Sequence, residues 1–557
     1  MNKRPTPLPR RDSITSAAPR RRTRRKVTYI LAARFSSIPF VAGTAILGCE
    51  AGPGPAAESS PDAPEVAPET YELPAAAAPG DALPIAAAAT AVRQPAPTPD
   101  VNGSATPSAS VSASSSASSA ASFGASADVD PFSRTMVRRV GVDFREAPLL
   151  FTASFDGSQR FGMWVDTMRF ARELGRDHQQ PVRLTYFINT CYFDPTVEHS
   201  RIGRARSRDE ALVRRALAQV AINAGHDIGN HGVRHDNGLR WSPAQWRAEF
   251  DEFHAWTDKN LFRPVRDGAG RPVFPRFTST SDVAGATGAR CREDADCPDG
   301  SCLAITEEAR FCTQPCNRKR PCPAPTVCGA PTFRDDTDVC VPPPAFPVEH
   351  RGVTLFDRAG RPNLERLRPY RIIGYRAPYL AGNDGLTEAL LAREYIYDAS
   401  QLSPPGAPLR LSLAEGGPTP GVLLGFPLMQ HPPARTIPMD YNYLQVGADE
   451  DTMSRDYRAS FVASFARDAR TPWNVGHHFS LWRDGAYWRA LQKSMRFAAA
   501  GCPDEEHGGK RCPDVAFVSF RELSRIIVRA VRRGRRTSTP PVARVSDRHP
   551  RAKTSPP

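Results

Sequence analysis

The sequence predicts an α/β protein, built on a parallel sheet or a (β/α) barrel, and three observations predict it. From about residue 140, short apolar, β-rich runs alternate with segments of helical period. Chemically capable residues fall at or just after the ends of those runs, on the face where barrels gather their sites. One cysteine-dense stretch interrupts the rhythm, and Ala/Pro/Ser-rich or basic flanks lie outside it.

Leu149 to Phe155 reads as a strand, Met163 to Leu174 as a helix, Val182 to Ile188 as a strand and Ala211 to Ala224 as a helix. Ser242 reads as an N-cap with Pro243 at the first helical position, opening a helix to about Leu261. Arg371 to Tyr375, Tyr395 to Tyr397, Val422 to Phe426 and Asn474 to Gly476 are further strands. Val515 to Phe520 is another, followed by a helix over Arg521 to Val531.

The formal net charge of +14 suggests a polyanion partner until the charge is located. Residues 1–35 hold eleven Lys/Arg and one Asp, and residues 531–557 hold eight and one, so the middle of the chain is near −3. The basicity belongs to two tails, which argues against a nucleic-acid partner. At the amino end, basic residues from Arg20 to Lys26 precede an apolar run, Phe35 to Gly48, that ends at Cys49. That run falls short of the ~20 residues a membrane-spanning helix needs, and reads as an export segment. Ile46-Leu47-Gly48-Cys49 resembles a bacterial lipoprotein box, which implies lipidation of Cys49 and a place at the cell envelope, on its periplasmic or surface face. Residues 1–48 are then the signal segment and 49–140 a disordered tether. Residues 535–557 form a disordered basic tail, free to touch anionic polymer or lipid.

Residues 285–345 hold Cys291, Cys297, Cys302, Cys312, Cys316, Cys322, Cys328 and Cys340 among Pro, Asp and Gly. In an exported chain these read as four disulfides stapling a small module, since no C-x-x-C pair and no interleaved His favours zinc. Cys502 and Cys512 flank a short loop and form a fifth pair, which leaves Cys191 as a buried free thiol.

Five segments carry candidate chemistry. Ser154-Phe155-Asp156-Gly157-Ser158 puts a carboxylate at a strand end. Gly225 to His235 contains His231 and His235, four apart, so both imidazoles can meet one ion. Gly374-Tyr375-Arg376-Ala377-Pro378-Tyr379 supplies a guanidinium fork on a Pro-stiffened loop. Tyr395 to Ser400 ends a strand in Asp398, and Val475 to Trp482 places His478 beside aromatics suited to a sugar ring. Pro438 to Tyr443 adds Asp440 on an aromatic loop. Singly, each has a bland reading as a helix cap or a structural pair.

In this order the segments resemble the polysaccharide deacetylase family, the NodB-homology group of carbohydrate esterases, with a chitin deacetylase-like third segment and an FDGS-type bacterial first one. The resemblance covers about 145–265 and 350–530. It implies a distorted (β/α) barrel over 141–284 and 346–534, with the disulfide module inserted, and a divalent metal, most often Zn. It further implies a hydrolase removing N-acetyl groups from a chitin-like, peptidoglycan or exopolysaccharide polymer. In the implied scheme His231 and His235 bind the ion and its water, Asp156 is the base oriented by Arg376, and His478, held by Asp398, is the acid. The Tyr379 backbone N–H supplies the oxyanion site and Trp482 a substrate surface. Two departures stand out: the family's second Asp is Gly157, and its Ser/Thr after the first metal His is Gly232. The ligand set therefore stays open between His231, His235 and water, with Asp156 as base, and a set that includes Asp156, with Asp440 as the spare carboxylate. A carbohydrate-binding or adhesion lipoprotein on the same fold is the alternative.

Overall fold

The computed structural model describes residues 127–129, 136–138, 148–329, 337–402, 411–413, 422–466, 472–504 and 508–537. The export segment with Cys49, most of the tether and most of the basic tail lie outside the described residues. Among the described residues no helix is long and apolar enough to cross a membrane.

The chain runs β1 (Leu149–Gly157), α1 (Phe161–Asp177), β2 (Thr185–Ile188), α2 (Arg208–Asn223), β3 (Asp227–Asn230) and α3 (Pro243–Asn260). It resumes with β4 (Gly374–Tyr375), α4 (Asp384–Ala392), β5 (Tyr397–Asp398), β6 (Val422–Gly425), α5 (Asp440–Gln445) and α6 (Glu450–Phe465). It ends with β7 (Trp473–His478), α7 (Trp482–Ala499), β8 (Val515–Phe517) and α8 (Phe520–Thr537). The strands are ordered β6-β5-β4-β3-β2-β1-β7 and every neighbouring pair is parallel, with β8 beside the amino-terminal half of β1.

No ladder joins β6 to β7; an irregular segment fills the seam. Met439 bridges Gly476 and Leu428 bridges Leu402, both in parallel. The Asn474 amide donates to the Pro427 carbonyl at 3.0 Å and the Trp473 indole to Met429 O at 3.1 Å. The result is a distorted (β/α) barrel, one of the two architectures the alternation predicts and the one the resemblance implies. β1, flanked by β2 on one side and by β7 and β8 on the other, is buried along nearly its whole length, as a parallel strand covered on both faces must be.

Two layers of apolar packing hold this shape. Outside the sheet, Phe151, Phe155, Trp164, Met168, Leu217, Phe250 and Trp473 belong to one large cluster. A second cluster joins Leu150, Phe187, Tyr397 and Phe426 to Phe520, Leu523 and Ile527 of α8. At the amino-terminal end of the strands buried Asp227 accepts from Tyr370 Oη, Tyr397 Oη and Arg521 Nε, each at 2.8 Å. α3 starts where its cap predicts: Gln245 N donates to Ser242 Oγ and Ser242 N to Gln245 Oε1.

Between α3 and β4 the chain makes a long excursion, wider than the module expected over 285–345. Its ends are pinned together: Phe262 bridges Pro369, Arg263 N donates to Arg368 O, and Tyr370 N to Leu261 O. The cysteines pair as two interleaved sets, Cys291–Cys302 with Cys297–Cys312, and Cys316–Cys328 with Cys322–Cys340. Cys502–Cys512 is the fifth disulfide, and Cys191 is free and buried. Burial pushes the Cys191 thiol up to about 12, which disqualifies it as a nucleophile.

Two expectations need correction. The tether contributes strands at Ala127–Val129 and Met136–Arg138, and the second pairs with Leu411–Leu413 at the edge of the main sheet. Backbone pairing of this kind needs no apolar side chains, so composition did not foretell it. The segment expected as a tail from 535 begins inside α8, which runs to Thr537.

Replacing Asp227 with Ala would strand two buried phenol hydroxyls and a partly buried guanidinium at once. We expect Asp227→Ala to cost about 3–5 kcal/mol of unfolding free energy, read by chemical denaturation. A cost below about 1 kcal/mol would show that the clamp does not hold the barrel base.

Candidate active site

Strand register sets the site. Asp156 on β1 is paired with His478 on β7, and Gly157, Ile188, Asn230, Tyr375 and Asp398 are linked by successive parallel pairings across β1 to β5. The carboxyl ends of the strands therefore deliver Asp156, His231, Arg376, Asp398 and His478 to one end of the barrel. A cleft of about 1050 Å3 opens there, lined among others by Asp156, His231, His235, Tyr379, His478 and Trp482.

Arg376 is the hub behind the cleft. Its buried guanidinium donates from Nη1 to Asp156 Oδ1 at 2.9 Å and from Nε to Ala399 O at 3.1 Å, and lies 4.5 Å from the centre of the Phe187 ring. Its backbone carbonyl is 2.8 Å from His231 Nδ1. A carbonyl only accepts, so Nδ1 carries the proton and Nε2 keeps its lone pair.

The His231 and His235 rings meet edge to face at 5.0 Å, and Tyr379 packs on His235 at 4.8 Å. Burial holds His231 below the ordinary histidine range; burial, then the neighbouring imidazoles, holds His235 well below it. His235 Nδ1 is buried with no hydrogen-bond partner. Two neutral imidazoles, one with an orphaned buried nitrogen, fit a divalent cation. A compact third protein ligand does not accompany them. Among the described residues, groups of three or more potential ligands occur only at cystine sulfurs. A Cβ at Gly157 would meet nothing within 4 Å, but the residue's φ of +99° is one that an L side chain adopts only under strain.

Gly232 adds a steric cause to the same backbone constraint. A Cβ there would lie 2.9 Å from Glu249 Oε1, with φ at +80°. Glu249 reaches from α3 to accept the Val233 N–H, and Asn189 donates its amide to the carbonyls of His231 and Gly232. Sequence reading missed both side chains. Glu249 did leave a signal, an acid inside the apolar stripe Trp246, Phe250 and Phe253 of α3.

The partner of His478 corrects the expected roles. Its Nδ1 lies 2.7 Å from Asp440 Oδ1, and its backbone N–H donates to Asp440 Oδ2 at 2.9 Å. Asp398 instead accepts from the Ser400 N–H and hydroxyl, while Ser400 Oγ accepts from Ala377 N. Asp398 thus shapes the Arg376 loop and does not hold His478. Asp440 is no spare carboxylate: the Met439–Gly476 bridge seats it against β7. Burial opposes charge on His478, yet the Asp440 carboxylate beside it raises its pKa overall; burial likewise opposes charge on Asp440, and His478 lowers its pKa overall. The Trp482 ring lies 5.2 Å from His478 and 5.8 Å from Tyr441, forming an aromatic wall.

No family model matches the chain, and no curated protein matches it. Solved structures do. A provisionally assigned polysaccharide deacetylase from Mycobacterium smegmatis is 14% identical, with 71% of this chain and 94% of that one covered and a TM-score of 0.34. A peptidoglycan deacetylase from Bacillus subtilis is 10% identical, with 72% and 100% covered and a TM-score of 0.28. An allantoinase is 13% identical, with 68% and 90% covered and a TM-score of 0.31. At such scores the functional reading rests on this chain's own residues.

Burial lifts Glu249 to about 7 from an ordinary 4.5. Its folded state therefore holds the proton more tightly, so stability present below about pH 4.5 is lost as pH rises through about 7. We expect Glu249→Gln to gain on wild type across that window, by up to about 3 kcal/mol. Parallel melting curves at pH 4.5, 6 and 8 check this; a pH-independent difference would contradict it.

Proposed function

We propose that the chain is a metal-dependent hydrolase that removes N-acetyl groups from an amino-sugar polymer, held at the cell envelope by a lipid on Cys49. One observation carries the reading: Asp156, fixed by Arg376, and His478, fixed by Asp440, are register partners on adjacent strands beside two neutral imidazoles. Amide hydrolysis needs a base for water and an acid for the departing nitrogen, because an amide anion cannot leave.

His231 and His235 would hold the cation, which when bound supplies acidified water and carbonyl polarisation. The other roles belong to the chain. Asp156 accepts the proton of the attacking water, and its Oδ1 stays pinned by Arg376. His478 gives its proton from Nε2 to the leaving nitrogen while Asp440 keeps Nδ1 protonated and the ring aimed into the cleft. Trp482 and Tyr441 offer flat apolar faces to a pyranose ring, and Tyr379 and Leu481 stand exposed nearby on the cleft wall. A pure binder would have no use for the His478–Asp440 pair. The envelope location is supported by Ile46-Leu47-Gly48-Cys49 and the preceding basic, apolar leader.

Acetate release from chitin oligomers and from peptidoglycan tests the activity. We expect His478→Ala to lose about 10²–10⁴ in kcat. Asp440→Asn removes the charge that raises the His478 pKa, so the alkaline limb of kcat/KM should move to lower pH. His231→Ala and His235→Ala should lose bound metal, measured by elemental analysis. Full turnover in the His478→Ala variant sinks the scheme.

A further inference from the structure

We propose that Asp338, on the disulfide module, is a positioning residue for the cleft: it caps α1 and thereby fixes the loop that follows Asp156. The inference deepens the deacetylase reading and rests on it for its kinetic arm. β1 ends at Gly157, and only Ser158, Gln159 and Arg160 separate it from α1. A helix start leaves backbone N–H groups without intrahelical partners. α1 has Arg160 at its N-cap position, with no side-chain capping bond of its own.

The missing acceptors come from the module. Asp338 Oδ2 accepts from Phe161 N and Oδ1 from Gly162 N, both at 2.9 Å, across 177 and 176 residues of sequence. Arg160 Nη1 donates to Thr337 O at 2.8 Å. Two glycines make room for this carboxylate. A Cβ on Gly162 would lie 3.3 Å from Asp338 Oδ1, and one on Gly329 would lie 2.7 Å from Oδ2.

The module is built to hold Asp338 still. Its strand, Asp338–Val341, pairs with Pro315–Cys316 and Val327–Cys328, and the disulfides Cys316–Cys328 and Cys322–Cys340 staple the same strands. The loop it grips is cleft wall: Gly157, Gln159 and Arg160 line the cleft together with Thr337. The module is therefore a part of the substrate groove.

Asp338→Ala and Asp338→Asn in the full chain test this. Hydrogen exchange at Phe161 and Gly162 should quicken about ten-fold in Asp338→Ala, with β7 unchanged, and the Asn variant should recover part of the protection. Acetate release should lose about ten- to a hundred-fold in kcat with KM within two-fold, because displacement of the reacting groups by ~1 Å costs on that order. Unchanged exchange at those two amides, or exchange that rises equally in every strand, overturns the proposal. Altered exchange with unchanged kcat overturns it as well. A wild-type enzyme that releases no acetate defeats the deacetylase reading alone, and the exchange arm still decides the capping role.

Discussion

The site is organised around a buried guanidinium. Arg376 sits in the barrel interior with no exposure of its side chain, and an unpaired charge there would be prohibitive. Three strands supply its partners: the Asp156 carboxylate from β1 at Nη1, the Ala399 carbonyl after β5 at Nε, and the Phe187 ring on β2 against its face, while Nη2 is buried without a hydrogen-bond partner. The same residue's carbonyl orients His231. The proposed base and the proposed metal donor are thus aimed by one residue, so neither can drift without breaking a bond to Arg376.

His478 is organised independently, through Asp440 on the irregular segment that closes the barrel between β6 and β7. The proposed acid and base share one strand ladder as register partners, but their side chains are held by different groups: Arg376 for Asp156, and for His478 an Asp440 that opens a short helix on the seam. This division suits proton transfer at opposite faces of an amide, where the two groups need opposite charge states. Asp156 is paired with a guanidinium, and His478 with a carboxylate that helps it hold its proton.

The alternation of strand and helix, the strand-end placement of the candidate residues and the cysteine staple were legible because each depends on local pattern. β1 and α3 lie close to where their apolar runs and caps place them. The exchange of roles between Asp398 and Asp440 was not legible. Both are acids at the edge of an element, and only the bridge from Met439 to Gly476 decides which one reaches His478. Gly157 and Gly232 looked like one kind of departure. Both have a left-handed φ, but a Cβ at Gly157 would meet open space, whereas one at Gly232 would meet Glu249, a residue on a helix that local reading treats as core. The cap from Asp338 was equally invisible, since its partner lies 177 residues away.

The excursion between α3 and β4 leaves and re-enters the barrel through adjacent backbone, at Leu261 and Tyr370. To the folding barrel it is a stem-loop whose neck closes like a hairpin. Its length adds only a logarithmic entropic penalty to bringing β3 and β4 together. A lineage could thus graft, lengthen or trade such a module without redesigning the barrel beneath it, provided the newcomer brought an acceptor for the bare start of α1.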